Sequence, residues 1–140
     1  TMISEVNSGI FSINNWISYA KRCEIHKNTL MGMIEKCKND GANVIIYGAS
    51  GKGQSLIQMS GITKDLISGV VDKSKMKQGK LTPGSHIKIY TTEYIYEGKA
   101  NVILLCAWNI AKEIVSQEKR FVELGGKFII PFPEPHFYNK

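Results

Sequence analysis

The stretch VIIYGASGKG at residues 44–53, followed by QSLIQM, is the strongest constraint on this chain. Its first four residues are apolar without a break, and so short and continuous a run reads as a strand buried on both faces. Glycines at 48, 51 and 53 then turn the chain, and the residues after them have helical character. A strand feeding a helix through such a turn is a building unit of α/β sheets. It also forms a small nest, because N–H groups at the helix start point outward and the helix dipole favours negative charge. Either the chain handles a phosphate-bearing ligand, or the glycines serve only a tight turn and close helix–sheet packing.

The spacing is GxxGxG, which exchanges the two gaps of the dinucleotide fingerprint GxGxxG. The triphosphate-binding loop fits no better, because Gly53 follows Lys52 where that loop has Ser or Thr. The turn is thus well defined as strand–turn–helix and names no cofactor.

The rest of the chain repeats the alternation. Residues 43–47, 66–72, 86–90, 101–106 and 127–130 read as strands. Helices are expected over residues 52–60 and 108–124, with Ile110, Ile114, Phe121 and Leu124 on one face of the second, and a short one starts near Thr91. Before all of these, Trp16, Ala20, Cys23, Leu30, Ile34 and Cys37 step by 4, 3, 7, 4 and 3, the heptad-like stripe, broken only at Lys27, of a long amphipathic helix over residues 14–40. That stripe lies on the domain's own sheet or also touches a preceding domain. Residues 1–13 read as a linker or irregular segment, and residues 14–140 as one domain. Pro131, Pro133 and Pro135 argue against further ladder or helix in the tail. The fold expected is a doubly wound, Rossmann-like parallel sheet of about five strands in the order 3-2-1-4-5.

In such sheets ligands sit beyond the carboxyl ends of the strands. That edge gathers Gly48, Ser50, Gly51, Lys52, Gly53, Asp72, Lys77, Trp108 and Asn109 as candidate substrate-binding residues. Asp72 follows Gly53 by 19 residues, where a dinucleotide fold places its ribose-binding acid; a cap or a partner for nearby lysines is the alternative. Lys52 could pair with a phosphate at the helix start. Trp108 could stack on a ligand ring, and Asn109 is first of all a natural N-cap for the helix that follows. Lys73, Lys75, Lys77 and Lys80 form a basic loop that reads as a solvated face.

Other functions are disfavoured. The net charge of +6 comes almost wholly from lysine, with Arg22 and Arg120 the only arginines, and no aromatic residues interleave with the basic ones. Nucleic-acid binding is therefore not expected. No apolar run nears the length of a membrane span. Cys23, Cys37 and Cys106 show no CxxC spacing, and His26, His86 and His136 are scattered, so no metal site is expected. A reducing, cytoplasmic setting fits three such cysteines. No catalytic set of Ser/His/Asp or Cys/His type is visible.

Taken in order, VIIYGASGKG (44–53), DLISGVVD (65–72), KQGK (77–80), PG (83–84), VILLCAWN (102–109) and GGKFIIPFP (125–133) resemble the C-terminal domain of S-adenosylmethionine-dependent C-methyltransferases that act on nucleotide-linked deoxysugars. The resemblance spans residues 10–135. It implies a Rossmann-like domain that helps enclose the sugar nucleotide, beside a zinc-binding N-terminal domain and a central domain holding S-adenosylmethionine. It further implies that catalysis and the methyl donor belong to the central domain and that this chain binds no cofactor itself. Two departures stand out: Ser50-Gly51 replaces Pro-Ala in the family's glycine turn, and Met76 stands where a histidine is common. A stand-alone NAD- or nucleotide-binding module and a non-catalytic interaction domain are the competing readings.

Overall fold

A computed structural model describes residues 1–139. Its centre is a six-stranded, mostly parallel sheet. The strands are β1 (Val44–Tyr47), β2 (Val70–Val71), β3 (Ile89–Tyr90), β4 (Val102–Leu105), β5 (Lys127–Ile130) and β6 (His136–Phe137). They lie in the order β3-β2-β1-β4-β5-β6, so β1 is flanked by β2 on one side and β4 on the other. The first five run parallel, and β6 pairs antiparallel with β5.

β1 and β4 are buried along their whole length, as their unbroken apolar sequences require. Alternate residues serve opposite faces. Val44, Ile46, Val102, Leu104 and Ile129 face one cluster with the helices α2 (Ile13–Asn39) and α3 (Gly51–Ser60). Ile45, Tyr47, Ile103, Leu105 and Phe128 face the other, with Ile114, Val115 and Phe121 from α4 (Ala111–Gln117) and α5 (Lys119–Glu123).

Several expectations need correction. Residues 2–7 form a short helix, α1, so the first segment is not wholly irregular. β2 and β3 are only two residues long, because the chain at 64–66 turns and the segment before β3 folds back on itself through the Leu81–Lys88 bridge. The single helix over 108–124 is three pieces: a 3-10 turn at Trp108–Ile110, then α4, then α5, broken at Glu118. Ile110 and Leu124 consequently point to solvent while Ile114 and Phe121 are buried. The sheet carries a sixth strand, since the chain resumes pairing one residue past Pro135, at an edge where proline need not donate to a ladder.

The long helix departs most. Leu30 and Ile34 are fully buried and Cys37 nearly so, but Trp16 is 52% exposed, and Ala20 is exposed as well. The stripe runs on both sides of its break at Lys27, but the sheet lies under its C-terminal part only.

Candidate functional site

The glycine turn lies at the carboxyl end of β1, between β2 and β4, where the sheet's connections part to the two sides. Each glycine there has a different standing. Gly48 has a φ of +98°, a conformation that favours glycine. Gly53 lies where α3 meets β4: a Cβ on it would fall 2.8 Å from the Cβ of Cys106 and 3.0 Å from the carbonyl oxygen of Gly48. Gly51 needs neither, because nothing stands within 4 Å of its Cβ position and its φ is ordinary.

Ser50 is the N-cap of α3; its hydroxyl accepts the Gly53 N–H at 3.1 Å. The first turn of a helix leaves N–H groups without intrahelical partners. With Gly53 capped, those of Gly51 and Lys52 remain, both on exposed residues. The Lys52 side chain has no ionic or hydrogen-bond partner among the described residues.

Asp72, just past β2, is committed to the protein. Its Oδ2 accepts the Ala49 N–H at 2.8 Å and meets the Lys77 ammonium at 3.2 Å, while Oδ1 accepts the Ser74 N–H at 2.8 Å. Gln78 donates to the Asp72 backbone carbonyl at 2.9 Å. Asp72 thus ties the β1 turn to the loop after β2, and it is the cap, of the two roles weighed for it, that the geometry displays. Lys77 is spent on the same carboxylate. Lys73, Lys75 and Lys80 are exposed, with Lys73 donating to Gln117.

Trp108 is half-buried past β4 and packs against both clusters. Its ring tilts against Phe132 at 4.7 Å, and Phe132 stacks on His26 of α2 at 4.5 Å. The N-cap expected of Asn109 is not there: the chain enters α4 through the 3-10 turn, Ile110 takes the N-cap position of α4, and neither helix start has a side-chain cap. Asn109 is exposed on that same edge.

One buried polar cluster escaped the sequence reading. Glu118 is 7% exposed, and its two carboxylate oxygens accept the hydroxyls of Tyr47 at 3.1 Å and Tyr96 at 2.6 Å. Burial, reinforced by the carboxylate, raises both tyrosines, Tyr96 to about 12. Glu118 sits at the break between α4 and α5 and fastens it to the last residue of β1. The only sequence signal was a charged residue interrupting an apolar helical face, with partners 71 and 22 residues away. Among the described residues, no group of three or more His, Cys, Asp or Glu is placed to hold a metal ion, and no helix is long and apolar enough to cross a membrane. All three cysteines are free.

Such features define a mostly parallel α/β domain with an open helix N-terminus at the carboxyl edge of its sheet. The chain belongs to the C-methyltransferase C-terminal domain family, whose profile matches residues 1–133. It is 36% identical over 134 residues to the C-methyltransferase NovU of Streptomyces niveus. That match takes in 96% of this chain and 32% of NovU, so the chain spans about a third of that relative's length.

Proposed function

We propose that this chain helps enclose a nucleotide-linked sugar in a C-methyltransferase, with methyl transfer carried by polypeptide outside these 140 residues. The observation behind this reading is the open N-terminus of α3. Gly51, the one glycine of the turn with no structural need, and Lys52 are both exposed in the first turn of the helix, where their N–H groups lack intrahelical partners. Unpaired N–H groups, the positive end of a helix and one lysine suit the diphosphate of a sugar nucleotide. Trp108 and Asn109 lie on the same edge, and Asp72 with Lys77 holds the turn in shape from below.

The family implies S-adenosylmethionine as methyl donor, but this chain's residues do not fit it. Asp72, the one acid at a suitable strand end, already accepts two backbone N–H groups and the Lys77 ammonium, which weighs against its gripping a ribose. The same commitment weighs against a stand-alone NAD module. Removing a proton from the sugar carbon needs a base within hydrogen-bond reach, and the turn presents only N–H groups, a capping hydroxyl and a lysine. This chain's part is to bind and orient.

The test is Lys52→Ala in the full-length enzyme, with titrations of a thymidine-diphosphate sugar and of S-adenosylmethionine. Sugar-nucleotide binding should weaken and donor binding should not change. If substrate KM and turnover both stay at their starting values, the turn serves packing alone and the proposal fails.

A further inference from the structure

The exposed large apolar side chains of this molecule are concentrated in one stretch of the chain. Among the described residues, ten of the fifteen exposed large apolar side chains fall within residues 2–25: Met2, Ile3, Val6, Ile10, Phe11, Ile13, Trp16, Ile17, Tyr19 and Ile25. Soluble domains rarely leave such a patch bare unless it is an interaction site.

The geometry of α2 explains the exposure. Its C-terminus leads directly into the amino end of β1, so the helix runs antiparallel to that strand. Cys37 lines a groove with Val102 and Lys127, at the amino ends of β4 and β5. His26 bonds through Nε2 to the Pro131 carbonyl at 2.5 Å, one residue past the carboxyl end of β5. The span from 37 back to 26 thus crosses the whole sheet. Residues 13–25 continue beyond the carboxyl edge, an overhang of about 20 Å at 1.5 Å per residue.

That overhang is organised. Trp16 donates to the Ile10 carbonyl at 2.6 Å and Asn15 to the Gly9 carbonyl at 3.0 Å, which pins the turn after α1 against the helix. Where the overhang leaves the sheet, a groove of about 630 Å³ opens, lined by Tyr19, Arg22, Cys23, Met59 and Pro133 among others. The molecule's own core needs none of this, since its first buried residue is Leu30.

We propose that α1 and the overhanging half of α2 seat the rest of a C-methyltransferase polypeptide, and thereby carry it across the edge that bears Gly51 and Lys52. This rests on the reading that the chain works beside methyl-transferring polypeptide, and it names the contact surface. The relative supplies the occupant: about two thirds of NovU lies outside the match. The helix projects past the same carboxyl edge that bears the open turn, so a body held on it is placed to close over the turn and shut water out of the site.

Hydroxyl-radical footprinting of the full-length enzyme, compared with the separate 140-residue chain shown monomeric by sedimentation, tests this. Trp16, Ile17 and Tyr19 should label several-fold more slowly in the full-length enzyme, with Leu124 unchanged. Equal labelling in the two proteins overturns the proposal. So does protection that arises in the 140-residue chain only as it dimerises, because the occupant is then a second copy. Sugar-nucleotide binding measured on the same full-length samples keeps the two proposals apart. Binding with Trp16 freely labelled overturns the seat alone, and protection of Trp16 without binding overturns the proposed function alone.

Discussion

Two glycines two residues apart should respond oppositely to alanine. At Gly53 the added methyl would meet the Cys106 Cβ at 2.8 Å and the Gly48 carbonyl oxygen at 3.0 Å. Neither is the loose end of a flexible side chain, so α3 must lift from β4. Overpacking of that kind costs about 1–3 kcal/mol, and rigid walls favour the upper part of that range. Alanine recovers up to about 1 kcal/mol of helix propensity. Gly53→Ala should therefore destabilise by about 1–2 kcal/mol, lowering Tm by about 3–8 °C in a domain of this size. Gly51→Ala meets nothing within 4 Å and should leave Tm unchanged or slightly higher. Calorimetric melts of both variants beside the parent decide this. A Gly53→Ala protein that melts at or above the parent temperature would refute the close approach of helix and strand. Sugar-nucleotide titration adds the functional half: Gly51→Ala should bind more weakly at unchanged stability, because its methyl stands where a diphosphate would approach the helix end. Unchanged affinity would remove Gly51 from the proposed site.

Further outcomes follow from the same geometry. Glu118→Leu strands the hydroxyls of Tyr47 and Tyr96 and should cost about 2–4 kcal/mol in urea unfolding, whereas Glu118→Gln keeps one acceptor and should cost less. Stability should also fall as pH rises from about 10. Tyr96 stays protonated to about 12 in the folded chain and Tyr47 is raised further, so the unfolded chain loses those protons first; urea midpoints that stay flat from pH 9 to 11 would contradict this. Burial pushes the Cys106 thiol up to about 12, so a thiol reagent at pH 8 should modify the partly exposed Cys23 and leave Cys106 intact until the protein unfolds. Isothermal titration of the 140-residue chain with S-adenosylmethionine should show no low-micromolar binding, since Asp72 already holds two backbone N–H groups and the Lys77 ammonium.

Much of the sheet was legible because its long strands leave a local trace. Val44–Tyr47 and Val102–Leu105 are apolar runs, Lys127–Ile130 is apolar after its first residue, and all three pair where such runs should. β2 and β3 are harder, because each contributes two residues and owes its place to neighbours: Val70 bonds to the Lys88 carbonyl, and Gly79 and Ile89 bond across the returning hairpin. The site shows the same divide. Position in the chain put Asp72 at the carboxyl edge of the sheet, yet its bonds to the Ala49 and Ser74 N–H groups depend on how two loops meet. Glu118 was hidden for the same reason, since its partners come from β1 and from the 3-10 turn Thr92–Tyr96. The heptad-like stripe of α2 was legible as a stripe, but a period says which face is apolar and nothing of what lies against it.

The two ends of that stripe differ in burial, and the proposed seat assigns stability to one and assembly to the other. Leu30 and Ile34 are shielded by β1, β4 and α3, so truncating either to alanine should cost about 2–5 kcal/mol. Trp16 and Ile17, on the same helix about 20 Å away, stay half-exposed in the chain by itself, and their truncation leaves no cavity. On the proposed seat one helix carries two separable burdens, and substitutions along it should report on different equilibria. Chemical unfolding of the 140-residue chain reads the C-terminal half, while association within the full-length enzyme reads the N-terminal half. A Trp16→Ala chain that unfolds as readily as Leu30→Ala would mean that the overhang is part of the folding core. Normal unfolding by Trp16→Ala, with weakened interdomain protection in the full-length enzyme, is the pattern that the overhang predicts.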